Sequence, residues 1–342
     1  MNTINRIALS ALGILILISC GNSNKLHIPN IAQIKVDYNH SQNINYGSTF
    51  AGNVVAIMHD GSEMDITNHR KLDINSAILD FNSKGSITVI GHPLSFNDAT
   101  AICNFKIEDK NESFTDKDSL RLNYRGPILV TANGVDGEDG EDQGTRGQRL
   151  IGRDGKDGEP GGFGLSGGNG DSFTAHVWKD DNTLKVHLVN NASGVVWKYK
   201  TVNSEDLWFN ISGGDGGDGG DGGSGSDGKD GVITEKGSKR PGNGGDAGSG
   251  GNGGNGGNGG SIDFILHPTA AHLSGSFTVR NGGGTGGNNG EPGNPGDGGN
   301  AASGQTPGLA GIRGVRGFDG VNGMPGPLPT YTTEEFDINQ FQ

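Results

Sequence analysis

Cysteine, aromatic residues and basic charge are all scarce in this chain. Its 342 residues include two cysteines and three tryptophans, 6% are aromatic, and the formal net charge is −13 at pH 7. Two cysteines cannot provide the disulfide framework of a small secreted scaffold. The acidic balance argues against nucleic acid as a partner, because its phosphates are also negative. With 31% hydrophobic residues, the chain cannot fill one large apolar core along its whole length.

Long apolar runs are also missing, except for one at the start of the chain. Arg6 precedes residues 7–18, which are all apolar or small. This run is too short to span the hydrocarbon core of a bilayer, so it predicts a secretory signal.

The residues that end this run, Leu17-Ile18-Ser19-Cys20, resemble the lipobox of bacterial lipoproteins. The resemblance implies that residues 1–19 are removed, that Cys20 is lipidated, and that the lipid holds the protein on a membrane. Gly21 is not an aspartate, which by the same resemblance implies the outer membrane, with surface exposure favoured over a periplasmic location. The other cysteine, Cys103, lies in an apolar strand-like run and is predicted to be a buried, inert thiol.

Residues 31–132 have the composition of an ordinary β domain, and residues 20–30 are predicted to be a tether. Strand-like alternation occurs in 33–38, 53–58, 86–90, 101–107 and 128–132. Residues 54–67, which contain Asp60-Gly61-Ser62, and the run Gly85-Ser86-Ile87-Thr88 resemble bacterial Ig-like domains. The resemblance implies an Ig-like β-sandwich with a presenting or adhesive role.

Glycine is the abundant residue, and 58 of the 66 glycines lie within 134–326. There it recurs at every third position, in four series of seven that begin at 152, 213, 242 and 308. We expect these glycines to be structural, in particular Gly152, Gly155, Gly158, Gly161, Gly213, Gly216, Gly219, Gly222, Gly245, Gly251, Gly254, Gly257, Gly308, Gly311, Gly314 and Gly317.

A period of three matches an extended helix of the polyproline-II type, which has no internal hydrogen bonds and must associate. We therefore predict a bundle of about six polyglycine-II helices, two each in 134–170, 213–260 and 282–326. The region resembles the glycine-rich bundles of certain antifreeze proteins and phage tail-tip adhesins. A trimeric collagen-like helix and a flexible linker remain alternatives. A calcium-binding β-roll is excluded, because glycine occupies its apolar position.

Two inserts interrupt the glycine region, and both contain strand patterns. Residues 171–212 and 261–281 are predicted to emerge at the same end as the N-terminal domain and the C-terminal tail, 327–342. We expect them to form one small β cap. The predicted fold class is therefore mainly β plus non-regular, with an Ig-like sandwich, the helical bundle and this cap.

Catalytic motifs are not evident, and we expect neither an enzyme nor a cofactor. If Asp181-Asn182 forms a hairpin turn, His176 and His187 lie opposite each other and are weak candidates for a metal site. A pair of partly exposed histidines without metal is the favoured interpretation. The regularly spaced aspartates of 213–231 are interpreted as a solvated acidic edge, with weak calcium binding as the alternative.

The sequence thus favours a non-enzymatic outer-membrane lipoprotein, acting as a structural or adhesive module whose rigid stalk presents a β end. Its expected partners are the membrane, through the lipid, and a surface glycan or protein. The alternative is an accessory subunit that docks on an outer-membrane β-barrel transport or secretion complex.

Overall fold

The computed structural model describes residues 26–82, 84–91, 95–96, 100–109, 111–147 and 153–341. In this part of the chain the only helical elements are three short 3-10 segments, Ile28–Asn30, Pro268–Leu273 and Ile338–Phe341. The strands are β1 (Ile31–Tyr38), β2 (Thr49–Met58), β3 (Glu63–Asp65), β4 (Leu72–Asn75), β5 (Leu79–Asn82), β6 (Ser86–Val89), β7 (Thr100–Asp109), β8 (Glu112–Arg121), β9 (Ile128–Thr131), β10 (Ser172–Asp180), β11 (Thr183–Asn190), β12 (Val196–Val202), β13 (Leu207–Asn210), β14 (Val232–Thr234), β15 (Gly237–Lys239), β16 (Ser261–Leu266), β17 (Thr278–Arg280) and β18 (Thr330–Thr333).

The predicted fold class, with its bundle of six polyglycine-II helices, is wrong. The described residues are mainly β-structure in several sheets, and they contain no bundle of helices. The glycine-rich segments are extended and are assigned neither to helix nor to strand. Their backbone hydrogen bonds run between segments and not within one. The collagen-like description is wrong as well, because the described residues are mostly β-structure with almost no helix.

Six glycine segments, called tracts here, lie side by side in two layers. Tracts 1, 3 and 5 form the odd layer, and tracts 2, 4 and 6 form the even layer. Neighbours within a layer run parallel, and the two layers run in opposite directions. The tracts span 134–147, 153–170, 213–231, 242–260, 282–300 and 308–326, in chain order.

Hydrogen bonds join the tracts at every third residue. Between the layers, Gly254 donates its N–H to the Gly217 carbonyl and Gly287 donates to that of Gly254. Within the even layer, Gly253 donates to the Phe318 carbonyl. Tracts 3 and 4 bond to four neighbours each, whereas tracts 1 and 6 bond to two. The six tracts therefore form one continuous backbone hydrogen-bond lattice.

Each layer continues at one end into a β-sheet. The odd layer continues into the parallel sheet of β9, β13 and β17. The even layer continues into β10, β16 and β18, to which β11 and β12 add the antiparallel edge. Both inserts and the C-terminal tail therefore share these sheets. Where glycine gives way to large apolar residues, a core fills the space between the layers, with the rings of Phe209 and Phe264 at 5.5 Å.

The N-terminal unit has two antiparallel sheets, one with the order β1-β2-β6-β5 and β3 on β2, the other with the order β4-β7-β8. The side chains of Ile34, Val54, Ile87 and Phe105 are buried in its core. Residues 128–131 were assigned to this unit from the sequence, but as β9 they pair with β13 instead. The unit packs on the sheet end of the glycine layers, where the rings of Tyr46 and Tyr199 are 5.9 Å apart.

Candidate functional site

Glycine is required in the tracts because backbone from a neighbouring tract occupies the place of a side chain. At Gly254 an added Cβ would lie 1.9 Å from the Leu165 carbonyl oxygen, far inside van der Waals contact. Gly152 lies outside the described residues. The other glycines predicted to be structural have backbone atoms 1.8–2.3 Å from the Cβ position: Gly155, Gly158, Gly161, Gly213, Gly216, Gly219, Gly222, Gly245, Gly251, Gly254, Gly257, Gly308, Gly311, Gly314 and Gly317.

The outer face of the odd layer carries ladders of side-chain hydrogen bonds. Asp139 in tract 1 accepts the N–H of Asp218 in tract 3, and Asp218 accepts the N–H of Asn288 in tract 5, at 2.8 and 2.6 Å. Parallel rungs start at Asp136 and Asp142. Each carboxylate thus satisfies a backbone donor that the lattice leaves at its surface.

Similar bonds also explain the role of the regularly spaced aspartates of 213–231. The sequence analysis interpreted these aspartates as a solvated acidic edge, with weak calcium binding as the alternative. Asp215, Asp218 and Asp221 each accept a backbone N–H from tract 5 at 2.6–2.8 Å. The backbone and side-chain hydrogen bonds from Thr285 hold the pKa of the Asp215 carboxyl below its usual range. The carboxylates therefore have a structural role. The feature of the sequence that could have indicated this role is an Asp, Asn or Ser after each of several successive glycine pairs.

The even layer repeats this arrangement with Asn, Asp and Ser side chains, and its outermost tract, tract 6, carries apolar residues. Asn252, Asn255 and Asn258 of tract 4 accept N–H groups from tract 6 at 2.8–2.9 Å. The residues that donate these and the equivalent bonds have exposed apolar side chains, which we call the apolar ridge. It comprises Leu309, Ile312, Val315, Phe318, Val321 and Met324.

The far end of the layers carries a small exposed hairpin, β14–β15, called the tip hairpin here (232–239). Arg153 donates to the carbonyls of Arg240 and Lys229, and Arg240 makes a bidentate ion pair with Asp154 at 2.9–3.0 Å. These contacts stabilise the base of the hairpin. Its surface bears two half-exposed apolar residues and two exposed lysines: Val232, Ile233, Lys236 and Lys239.

His176 and His187 are directly opposite in the β10–β11 hairpin, with ring centroids 6.1 Å apart. The Phe341 ring of the C-terminal tail covers both, at 4.7 and 4.5 Å. Burial lowers the pKa of both histidines, and repulsion from His176 and Lys198 helps to bring that of His187 to about 4. The pair is therefore held neutral under an aromatic cover.

The two cysteines lie in different parts of the chain. Cys103 is a free thiol, fully buried between the sheets of the N-terminal unit, and burial raises its pKa to about 12. A thiol with so high a pKa is unreactive at neutral pH. Cys20, the predicted lipidation site, lies outside the described residues.

Among residues 26–341, with the gaps given above, no cluster of three or more His, Cys, Asp or Glu side chains has a geometry suited to a metal ion. The same part of the chain includes no helix with the length and apolarity needed to cross a membrane. A comparison of the chain with protein-family models, curated proteins and solved structures finds no match.

Proposed function

We propose that this protein is a non-enzymatic, lipid-anchored binding module of the bacterial outer membrane, and that the glycine layers hold its binding surface rigidly away from the lipid. The observation that carries this proposal is the backbone lattice. In tracts 3 and 4 two of every three amides donate to the backbone of a neighbouring tract, and Asp, Asn and Ser side chains accept from further amides at the surface. A lattice of this kind is suited to displaying side chains at fixed positions.

The N-terminal unit and the tip hairpin lie at opposite ends of the glycine layers, and this supports the proposal. The described chain begins in the N-terminal unit, which packs on the sheet end of the layers, so a lipid at Cys20 belongs to that end. The tip hairpin is at the other end of tract 3, which is at most roughly 60 Å long. The hairpin presents Ile233, two lysines, Lys236 and Lys239, and one carboxylate, Glu235, so it is net positive in a chain whose net charge is −13. We therefore assign recognition to the tip hairpin, with an anionic glycan or protein as its ligand class.

The anchoring part of the proposal is tested by labelling cells with a radioactive fatty acid. The protein is expected to carry the label, and Cys20→Ser is expected to lose it. Undiminished label on the Cys20→Ser protein contradicts the proposed anchor.

The binding part is tested with beads coated with the Cys20→Ser chain and a panel of sulfated, carboxylated and neutral glycans. We expect saturable binding to an anionic glycan, and at least about a tenfold loss of affinity in Lys236→Glu/Lys239→Glu. The control, Lys84→Glu/Lys117→Glu, makes the same charge change in the N-terminal unit and should bind as the parent does. Equal loss in both variants contradicts a role for the tip. A barrel protein that co-purifies stoichiometrically in mild detergent favours the accessory-subunit function instead.

A further inference from the structure

The last part of the tail, residues 334–341, is called the terminal segment here, and it lies across the outer face of the sheet of β10, β11 and β12. Glu334 donates its N–H to the Leu266 carbonyl at 3.0 Å, and this is the last backbone bond from the tail to the sheet. Beyond it, the described structure contains no hydrogen bond or ion pair from residues 335–341 to any other part of the chain. The terminal segment can therefore leave the sheet at the cost of side-chain packing and of very few hydrogen bonds.

The face beneath the terminal segment contains buried nitrogen atoms that the segment does not satisfy. Phe341 lies 4.7 Å from the ring of His176, 4.5 Å from that of His187 and 5.8 Å from that of Trp178. Trp178 is 1% exposed, and its Nε1 has no hydrogen-bond partner in the described structure. The buried Nδ1 atoms of the two histidines have none either. Since an unpaired buried donor is costly, phenylalanine rings are an incomplete match for this face, and a ligand with oxygen acceptors would match it better.

The charges of the terminal segment and of the face are complementary. His176, His187 and Lys198 lie in register on three adjacent strands. Lys198 forms no ion pair within the described part of the chain. The terminal segment, EEFDINQF, has three carboxylates and no basic residue. The Glu334 carboxylate is close enough to act on His176, where it raises the pKa against the larger, lowering effect of burial. The face therefore already holds an acidic, aromatic peptide, which is the chain's own.

We propose that the outer face of β10, β11 and β12 is a docking site for an acidic, aromatic segment of a partner protein, and that the terminal segment occupies this site until the partner displaces it. Aromatic side chains of the partner take the places of Phe336 and Phe341, and its oxygen atoms accept from the nitrogens that the terminal segment leaves unpaired. This site lies at the sheet end of the glycine layers and does not depend on the ligand of the tip hairpin.

A fluorescent peptide with the sequence of residues 334–341 tests the site on the full chain carrying Cys20→Ser. The open variant, Phe336→Ala/Phe341→Ala, keeps its full length but releases the terminal segment, and it should bind the peptide saturably. The parent should bind at least about tenfold more weakly, because its own segment competes. A peptide with both phenylalanines replaced by alanine is the control and should not bind. Equal binding by the parent and the open variant, or no binding to a folded open variant, overturns the proposal.

Circular dichroism establishes that the open variant is folded. Phe341→Ala alone is the milder opening variant, and its affinity for the peptide should lie between those of the parent and the double variant. An affinity equal to that of the parent, with Trp178 hydrated, would also overturn the proposal.

Charge substitutions in the open variant locate the bound peptide. Lys198→Glu should weaken binding at least about tenfold, because it repels the acidic residues of the peptide. The matched control, Lys84→Glu, makes the same change in the N-terminal unit and should have no effect. Equal effects of the two substitutions overturn the assigned site. Sedimentation equilibrium of the parent tests a second copy as the occupant, since a dimer formed by exchange of terminal segments would overturn the assignment to a partner protein.

Discussion

At the scale of the residue, the glycine lattice predicts opposite tolerances at two adjacent positions. Gly254→Val would place a branched side chain against the Leu165 carbonyl and separate tracts 2 and 4, at a cost of about 3 kcal/mol or more in the free energy of unfolding. Asn255→Val would lose only the bond from the Val321 N–H to the Asn255 carboxamide, worth about 1 kcal/mol. Urea denaturation of the full-length variants measures both. Equal losses would show that the tracts do not pack as described.

A second prediction at this scale concerns His187, whose pKa is lowered to about 4 chiefly by burial. The unfolded chain takes up a proton near pH 6.5 and the folded chain only near pH 4, so folding is favoured less as the pH falls through this window. His187 also has a buried Nδ1 without a partner in the described structure. His187→Phe should therefore raise the melting temperature more at pH 5 than at pH 7.5. An equal change at both pH values would contradict the account.

At the scale of the element, the C-terminal tail acts as a cover for the sheet of β10 and β11. Phe341 stacks on Trp178 at 5.8 Å as well as on the histidine pair, and Trp178 is 1% exposed. Phe341→Ala should lower the free energy of unfolding by about 1 kcal/mol for each aromatic contact that is lost. It should also shift the tryptophan emission to longer wavelength, as Trp178 becomes hydrated. Unchanged emission would show that the tail does not cover this face.

Some of the strands could be predicted from the sequence, and others could not. The alternation in 33–38, 53–58 and 101–107 indicated strands because one face of each is buried. Strand β8 was missed, since its sequence, ESFTDKDSLR, is largely polar and mostly exposed. Strand β9 was assigned to the wrong unit, because its partner β13 lies about eighty positions further along the chain.

The glycine period indicated close backbone approach, but the helical interpretation was wrong. A period of three indicates that every third position is packed closely against a neighbour, but it does not determine which backbone conformation the segments adopt. The side-chain ladders were missed because their partners are far apart in the chain. The donor for each Asp or Asn lies 30 to 89 residues away, as for Asp218 and Asn288, so no local pattern shows the pairing. That His176 and His187 lie opposite each other could be predicted, because the short turn between β10 and β11 determines which residues pair.

For the molecule as a whole, we expect the folded state to be stable without metal. The aspartates on the odd layer bind backbone amides, as Asp215 and Asp221 do, so the lattice has no need of calcium. The melting temperature should be unchanged by EDTA and by added calcium. A large decrease in EDTA would show that the carboxylates hold calcium and that their amide bonds are secondary.

Backbone amide hydrogen exchange on the full chain tests directly whether the glycine tracts form a rigid hydrogen-bonded lattice. We expect strong, cooperative protection of the glycine amides that donate between the layers, such as Gly217, Gly251 and Gly254. Protection should be highest in tracts 3 and 4, which have four neighbours each, and lower in tracts 1 and 6. Exchange of these amides at the rate of an unfolded chain, while β10 and β11 stay protected, would contradict the lattice and show a flexible linker.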